Sequence, residues 1–447
     1  MSWGYALDDL ARVIGADPPQ VAAAFHGVST DTRTLQTGAV FFALTGPNFD
    51  GNQFVAEAFA KGAVAAVAKN PNQAGPCLVV SDPLKALQQF ATYHRRQHDV
   101  PVLALTGSCG KTTSKDLTAH LLATRYAVVK TPGNLNNDIG CPLSLLQIDA
   151  ATGIAVIEMG ANHLGEIARL CELARPTESA ITMIAPAHLE GFGTIENVAK
   201  AKAEIVGALS PRGVFYENVD DPWCKQIGDA FPGEIVRFGS SGDVVFEWSG
   251  FIGPGELELR VSPVGILRLP LACRAHAGNV LLAIAVGLRH GVTEFQQPLR
   301  EACMASSRFK VFSIGPLTVM DDSYNANPAS MAASLRALAE WPGQGARIAA
   351  LGEMLELGEE APAWHRRIGA LAGELGVTHL YATGPHARDT IEAAQAAHVP
   401  HASIMEDPLA LAPAIHRVAR PGDLLLVKGS RAMRMERVID ALRNLYG

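Results

Sequence analysis

The sequence predicts an α/β protein of three domains, with a doubly wound, mostly parallel sheet at its centre. Three observations lead there. The chain has 447 residues, and at roughly 150 residues per domain about three domains are expected. From Val102 onward, short apolar runs alternate with stretches of helix length, the pattern of βαβ units. One of those runs, VPVLALT, opens directly into the Gly-rich segment TGSCGKTT, Thr106 to Thr113. A strand, a Gly loop and a helix start in that order form a phosphate-binding loop.

Taken in chain order, residues 1–81 mix short strands and helices and form the first expected domain. Pro83 to His98 reads as a linking helix with an exposed basic end at His94, Arg95 and Arg96. The second domain, 82–311, holds the strands Val102–Thr106, Ile154–Glu158 and Ala180–Ile184, and the helices Thr112–Ala123, His163–Leu173 and Ile195–Leu209. Between Val244 and Leu271 the segments FEW, ELELRV and ILRLPL, broken by Gly and Pro, read as antiparallel strands, and a helix follows over Asn279–Gly287. The third domain, 312–447, repeats the alternation. Its strands are Leu317–Asp321, Ile348–Leu351, Leu380–Thr383 and Leu424–Lys428; its helices are Ser330–Leu338, Trp364–Leu375 and Met433–Leu445.

Composition narrows the function. Hydrophobic residues make up 48% and charged residues 18%, as in an ordinary globular protein. The 37 basic against 44 acidic residues leave a net charge of −7, which argues against binding to nucleic acid or to an anionic membrane. An anionic substrate needs only local positive charge and is still allowed. The N-terminal MSWGYALDDLARVIG lacks the basic and apolar regions of a secretory signal. The longest helix-like apolar run, Val280–Leu288, is far shorter than the roughly 20 residues that span a bilayer. Seven scattered cysteines form neither a disulfide framework nor a CxxC metal pattern and fit the reduced core of a cytoplasmic protein.

The chemistry concentrates at strand ends. In the loop, backbone N–H groups of Gly107, Ser108 and Gly110 and the helix start at Thr112 and Thr113 suit phosphate oxygens. Lys111 is placed to reach the β- and γ-phosphates of ATP, and the Thr112 hydroxyl to ligate Mg²⁺. The loop is shorter than GxxxxGK[ST], because Leu105 stands where the first Gly belongs. Cys109 reads as a space-filler whose position beside Lys111 and a helix start could lower its pKa. Glu158 ends an apolar strand at the sheet edge where ligands collect, and His188 follows another such strand. On the next helix Lys200 and Lys202 cannot share a face, so at most one meets the site. VMDDSYNANP (Val319–Pro328) sets carboxylates and amides at a strand exit, fitting either a sugar or peptide contact or a plain turn. LVKGSR adds Lys428, Ser430 and Arg431 as a small cationic site or a basic surface loop.

These motifs, in this order, closely resemble the Mur ligases of peptidoglycan synthesis, over essentially the whole chain. The short loop, Glu158, and His188 followed by Lys202 are shared across that family. GNLNNDIG (Gly133–Gly140), EMGANHLGEI (Glu158–Ile167), IAPAHLEGFG (Ile184–Gly193), DDSYNANPASM (Asp321–Met331), LGEMLELG (Leu351–Gly358) and LVKGSR (Leu426–Arg431) resemble the branch that adds D-alanyl-D-alanine. The resemblance implies a small UDP-sugar-binding α/β domain, a central P-loop ATPase domain and a Rossmann-like C-terminal domain. It implies a ligase that joins D-Ala-D-Ala to UDP-MurNAc-tripeptide through an acyl phosphate, working as a monomer. It also implies two Mg²⁺ ions, one held by Thr112 and Glu158, the other by Glu158, His188 and Lys202, with Lys202 N-carboxylated. Asn279 corresponds to an adenine contact, Arg308 to a phosphate contact near the hinge, and Asp322 to a ribose contact. Ser29, Thr30, Asp31 and Arg33, within STDTRTLQTGAVFFALTG, correspond to the UDP-sugar site. Asn134, Asn137, Asn162, Asn325, Asn327, Lys428 and Ser430 correspond to substrate-facing positions. The chain departs from the family's His-Asn-x-x-Asn run, having Ala275, His276, Ala277, Gly278 and Asn279, so only Asn279 carries over. Folylpolyglutamate synthase lacks DSYNANP and the added domain, and a diamino-acid-adding ligase is expected to carry a DNPR-type motif, absent here. A non-catalytic nucleotide-binding protein is expected to have lost Lys111, Glu158, His188 or Lys202.

Overall fold

Residues 3–18, 21–47, 49–306 and 308–447 are described by a computed structural model. Three larger sheets organise them. In the first, Val28–Ser29, Val40–Phe42, Ala65–Ala68 and Cys77–Val79 lie side by side, all parallel. The helix Pro83–Arg96 follows, started by Asp82, whose carboxylate accepts from the Leu84 and Lys85 N–H groups, with Pro83 at the first turn. This helix packs on the N-terminal helix Leu7–Ile14 and also on Gly140–Leu145 and Glu166–Ala174 of the next domain.

That double packing corrects one expectation. The basic end of the linking helix is largely not exposed. His94 is fully buried, with Nε2 2.7 Å from the Ile148 carbonyl and Nδ1 2.9 Å from the Tyr5 hydroxyl. Arg95 is buried and donates to the carbonyls of Ala174 (2.8 Å) and Val100 (3.0 Å); Arg96 alone faces outward. The last turn is wedged between two domains, where its N–H groups satisfy otherwise unpaired carbonyls. Burial pushes the His94 imidazole down to about 4.

The central sheet has nine strands, with Val102–Thr106 between Ile154–Glu158 and Glu178–Ile181. The parallel strands Val214–Asn218, Glu234–Gly239 and Val244–Gly253 extend it on the latter side. Glu256–Ser262 and Gly265–Leu269 then complete it as antiparallel strands, so the FEW–ELELRV–ILRLPL segment continues the ATPase sheet. Val102–Thr106 is fully buried on both faces, which accounts for its unbroken apolar run. Several element bounds differ from expectation: the strand expected over Ala180–Ile184 runs Glu178–Ile181, the helix expected from His163 begins at Glu166, and the helix expected from Asn279 begins at Ala277. Glu166 itself caps the preceding turn, accepting from the Asn162 and His163 N–H groups.

The C-terminal sheet runs in the order Lys310–Ile314, Leu317–Asp322, Asp423–Lys428, Arg347–Leu351, His379–Ala382, His401–Ile404. Its first pair is antiparallel and the rest are parallel. The strand Lys310–Ile314 straddles the boundary expected at 311. The loops at the carboxyl ends of the central and C-terminal sheets, after Thr106, Glu158 and Asp322, contribute to one cavity together with Lys428 at the end of its strand.

Candidate active site

The cavity has a volume of about 960 Å³. Its central-domain wall starts with the Gly loop. Gly107 has φ +144°, and a Cβ there would fall 2.0 Å from Thr182 Oγ1. Gly110 has φ +81°, and its Cβ would fall 2.4 Å from Asn279 Oδ1. Both positions therefore require Gly, for backbone shape and for close approach. Ser108 fixes the loop to the neighbouring strand exit: its N–H donates to Met183 O (2.8 Å) and its Oγ to Ala185 O (2.8 Å). Lys111 begins the helix Lys111–Leu122 and folds back to donate to Gly107 O at 2.6 Å. Its ammonium thus lies over the loop, where loop N–H groups and a helix start favour an anion.

Glu158 is 1% exposed, at the end of its strand. Its Oε1 accepts from Asn136 Nδ2 (2.7 Å) and Thr112 Oγ1 (3.2 Å), whereas its buried Oε2 makes no hydrogen bond. Lys115 Nζ approaches that oxygen to 3.8 Å and donates to Gly133 O at 2.6 Å. A buried carboxylate oxygen without a donor is costly, and beside the Thr112 hydroxyl it fits a hard divalent cation such as Mg²⁺. Among the described residues no three His, Cys, Asp or Glu side chains converge as a ready metal cage.

His188 lines the same cavity. Burial lowers its pKa, opposed by the Glu356 carboxylate that its Nδ1 contacts. Lys202 is 2% exposed and does not line the cavity; its Nζ donates to Ala161 O, a wall residue, at 3.4 Å. Burial first, and Lys111 second, bring its pKa down to about 7. Lys200 on the same helix is exposed.

The C-terminal wall carries Asp322, Asn325, Asn327 and Lys428. Lys428 is not a free cation: its Nζ pairs with Asp322 Oδ2 and donates to Asn325 O (2.9 Å), so the expected small anion site is neutralised from within. Ser430 is buried away from the cavity, bonded to Leu355 N–H (2.9 Å) and Ala326 O (3.3 Å). Asn327 caps the helix Pro328–Glu340 by accepting from Ser330 N–H at 2.9 Å, and its Nδ2 donates to Ser108 O across the cavity at 3.4 Å. Cys109 Sγ lies 3.2 Å from Asn327 Oδ1. Its pKa is raised, not lowered, because burial there outweighs Lys111.

Arg308 stacks 3.3 Å from the Tyr324 ring centroid, and its Nη2 lies 3.4 Å from Thr112 Oγ1. Asn279 accepts from Ser114 Oγ at 3.0 Å, and His276 stands edge-on to Phe309 nearby. Asn134, Asn137 and Asn162 also line the cavity; Asn137 Oδ1 accepts from the Gly140 N–H at 2.9 Å.

Ser29, Thr30, Asp31 and Arg33 are not brought to this cavity. They form a separate turn in the N-terminal domain, where the hydrogen-bonded Arg33 guanidinium holds the Asp31 carboxyl down to about 2. Sequence reasoning passed over Lys115, Asn136 and Glu356 as site residues. Lys115 had a signal: it follows Lys111 by one helical turn, on the same face.

Three sequence families match: the Mur ligase family catalytic domain over residues 24–105, the Mur ligase middle domain over 105–287, and the Mur ligase glutamate ligase domain over 307–431. The chain is 35% identical to the UDP-N-acetylmuramoyl-tripeptide–D-alanyl-D-alanine ligase of Escherichia coli, covering 98% of each chain. The fold superposes on a crystal structure of MurF from Acinetobacter baumannii with a TM-score of 0.89, at 30% identity over 99% of each chain. It also superposes on the MurF ligase of Thermotoga maritima in complex with ADP, with a TM-score of 0.82 at 28% identity, over 94% of this chain and 97% of that one. The chain belongs to the Mur ligase family.

Proposed function

We propose that the chain joins D-alanyl-D-alanine to the terminal carboxylate of UDP-N-acetylmuramoyl-tripeptide, with ATP converted to ADP and phosphate. The observation that carries this reading is the single cavity in which Lys111, Glu158 and His188 of the central domain face Asn325 and Asn327 of the C-terminal domain. The full-length similarity to the E. coli ligase of that name supports it, and the ADP bound in the T. maritima structure supports the nucleotide.

In the first step a carboxylate oxygen of the tripeptide attacks the γ-phosphorus and the bond to the β-bridging oxygen breaks, leaving an acyl phosphate and ADP. In the second, the D-Ala-D-Ala amine attacks the acyl carbon, loses a proton and expels phosphate. Both steps bring anions together. Lys111 and Arg308 offset that repulsion, and the preorganised loop N–H groups need no rearrangement to do so. Two divalent cations, one held by Thr112 and Glu158 and the other by Glu158, His188 and N-carboxylated Lys202, would add further positive charge at the phosphates. Lys202 is read as the site of N-carboxylation. With a pKa near 7, its neutral amine is available to add CO₂ and release a proton, which turns a cation into a carboxylate beside the cavity wall. Ser29, Thr30, Asp31 and Arg33, distant from the chemistry, are read as the anchor for the UDP end, consistent with a long substrate spanning two domains.

No helix among the described residues is long and apolar enough to cross a membrane. All seven cysteines are free, which supports a reducing, cytoplasmic setting, and the reading takes the chain as a monomer. The test is phosphate and ADP release with UDP-MurNAc-tripeptide, with and without D-Ala-D-Ala. Release that the dipeptide does not stimulate would sink the assignment.

A further inference from the structure

We propose that Glu356 is a positioning residue for His188: docking of the C-terminal domain holds the His188 ring with its proton on Nδ1, leaving Nε2 as the electron-pair donor. The proposal rests on reading His188 as a metal-side residue of the ligase site. Glu356 lies in the LGEMLELG loop, 168 positions from His188, and its Oε2 contacts His188 Nδ1. An ionised carboxylate has no proton to give, so Nδ1 must be the donor. In a neutral imidazole that choice leaves Nε2 unprotonated, the form that can bind a metal. Among the described residues Glu356 is the only hydrogen-bond partner of the ring.

The backbone shows that the contact is built. His188 has φ 53° and Glu356 has φ 63°, both in the left-handed region that residues with side chains rarely adopt. A second strut runs beside the first, from Glu190 N–H to Glu356 O at 3.0 Å. Behind Glu356 the loop is tied to its own domain: Met354 N–H donates to His365 Nε2 (3.1 Å) and Leu355 N–H to Ser430 Oγ (2.9 Å). The loop is therefore a rigid arm, rooted in the C-terminal domain, whose tip fixes a side chain of the central domain. His188 is held only while the two domains are docked, so domain docking and completion of the metal side become one event.

The test uses the full chain with ¹⁵N-labelled histidine, its His188 signals assigned by their loss in His188→Gln. A non-hydrolysable ATP analogue is present throughout. Two readouts apart from turnover are taken: the His188 ring tautomer, and Mn²⁺ binding followed by electron paramagnetic resonance. In the wild type the ring carries its proton on Nδ1. In Glu356→Ala the tautomers mix, and Mn²⁺ binding weakens by about ten- to a hundredfold. Glu356→Gln, whose amide oxygen still accepts, recovers most of the wild-type ring spectrum. Unchanged tautomer and unchanged Mn²⁺ affinity in Glu356→Ala would overturn the proposal. Failure of the ligase reading looks different: the wild type releases no dipeptide-dependent phosphate, while the ring still responds to Glu356→Ala.

Discussion

The two walls of the cavity are built on different principles. On the central wall hydrogen-bonding capacity is left unused. Among the described residues Lys111 rests only on a loop carbonyl, and Glu158, though paired with Lys115 at 3.8 Å, keeps one buried oxygen without a hydrogen-bond donor. On the C-terminal wall the polar groups already satisfy one another: Asp322 holds Lys428 and Ser334, and Asn327 caps its own helix. It reaches the other wall at few points, Asn327 to Ser108 and Glu356 to His188 among them. The difference assigns the work. On the proposed function the central wall would receive phosphates and a cation, and the C-terminal wall is a preformed piece whose position would complete the site.

Removing charge from the central wall should therefore cost the most. Lys111→Ala is expected to lower kcat/KM about a thousandfold, roughly 4 kcal/mol of transition-state stabilisation, with little change in thermal stability because the side chain lies at a cavity edge. Steady-state phosphate release beside a melting curve checks both halves. A variant that loses activity only because it unfolds would break the comparison.

Lys202 gives the next largest effect and a pH signature. Its pKa falls from the usual 10.5 to about 7 on folding. Between those values the unfolded chain binds the extra proton, so this group's contribution to stability rises as pH goes from 7 toward 10.5 and is smallest below 7. The slope is about 1.4 kcal/mol per pH unit in mid-window. In CO₂-free buffer, the wild type should gain on Lys202→Met steadily from pH 7 to 10 in melting experiments. A constant difference would show that Lys202 is charged in the folded protein. Lys202→Ala should also lose most ligase activity and regain part of it with added short-chain carboxylic acids.

What the sequence made legible follows the same division. Lys111, Glu158 and His188 could be placed because each sits where an apolar strand ends, and strand ends on one sheet edge meet. The C-terminal wall was harder. LVKGSR reads as a cationic loop until Asp321–Asp322, about a hundred positions earlier, proves to lie on the adjacent parallel strand, with Asp322 in register with Lys428. Ser430 has the right composition for a ligand contact but spends its hydroxyl on Leu355 and Ala326. Arg95 looked like surface charge because nothing local signals that a helix end is covered by two domains at once. Pairings across a domain interface have no periodicity to betray them.

The Asp322–Lys428 pair sharpens the view of the C-terminal wall as a self-sufficient piece. Lys428 is 1% exposed, and removing one partner of such a pair leaves a nearly buried charge. Lys428→Met should destabilise the chain by about 3 kcal/mol, read as a lowered denaturant midpoint. Asp322→Asn combined with Lys428→Met should recover most of that loss. If the single variant is neutral, Lys428 is held for the substrate instead.

The smallest effect separates the two duties of Asn327. Its side-chain oxygen caps the helix Pro328–Glu340, and its amide nitrogen reaches Ser108 O and Cys109 Sγ on the opposite wall. Asn327→Ala removes both and should cost about 1 kcal/mol of stability through the lost cap. Asn327→Ser keeps a capping oxygen but is too short to span the cavity. It should melt within a degree or two of the wild type while kcat/KM falls several-fold, because the loop loses its contact with the docked domain. Equal activity in Asn327→Ser and wild type would confine Asn327 to its own helix, and Glu356 would then be left as the principal tie between the two walls.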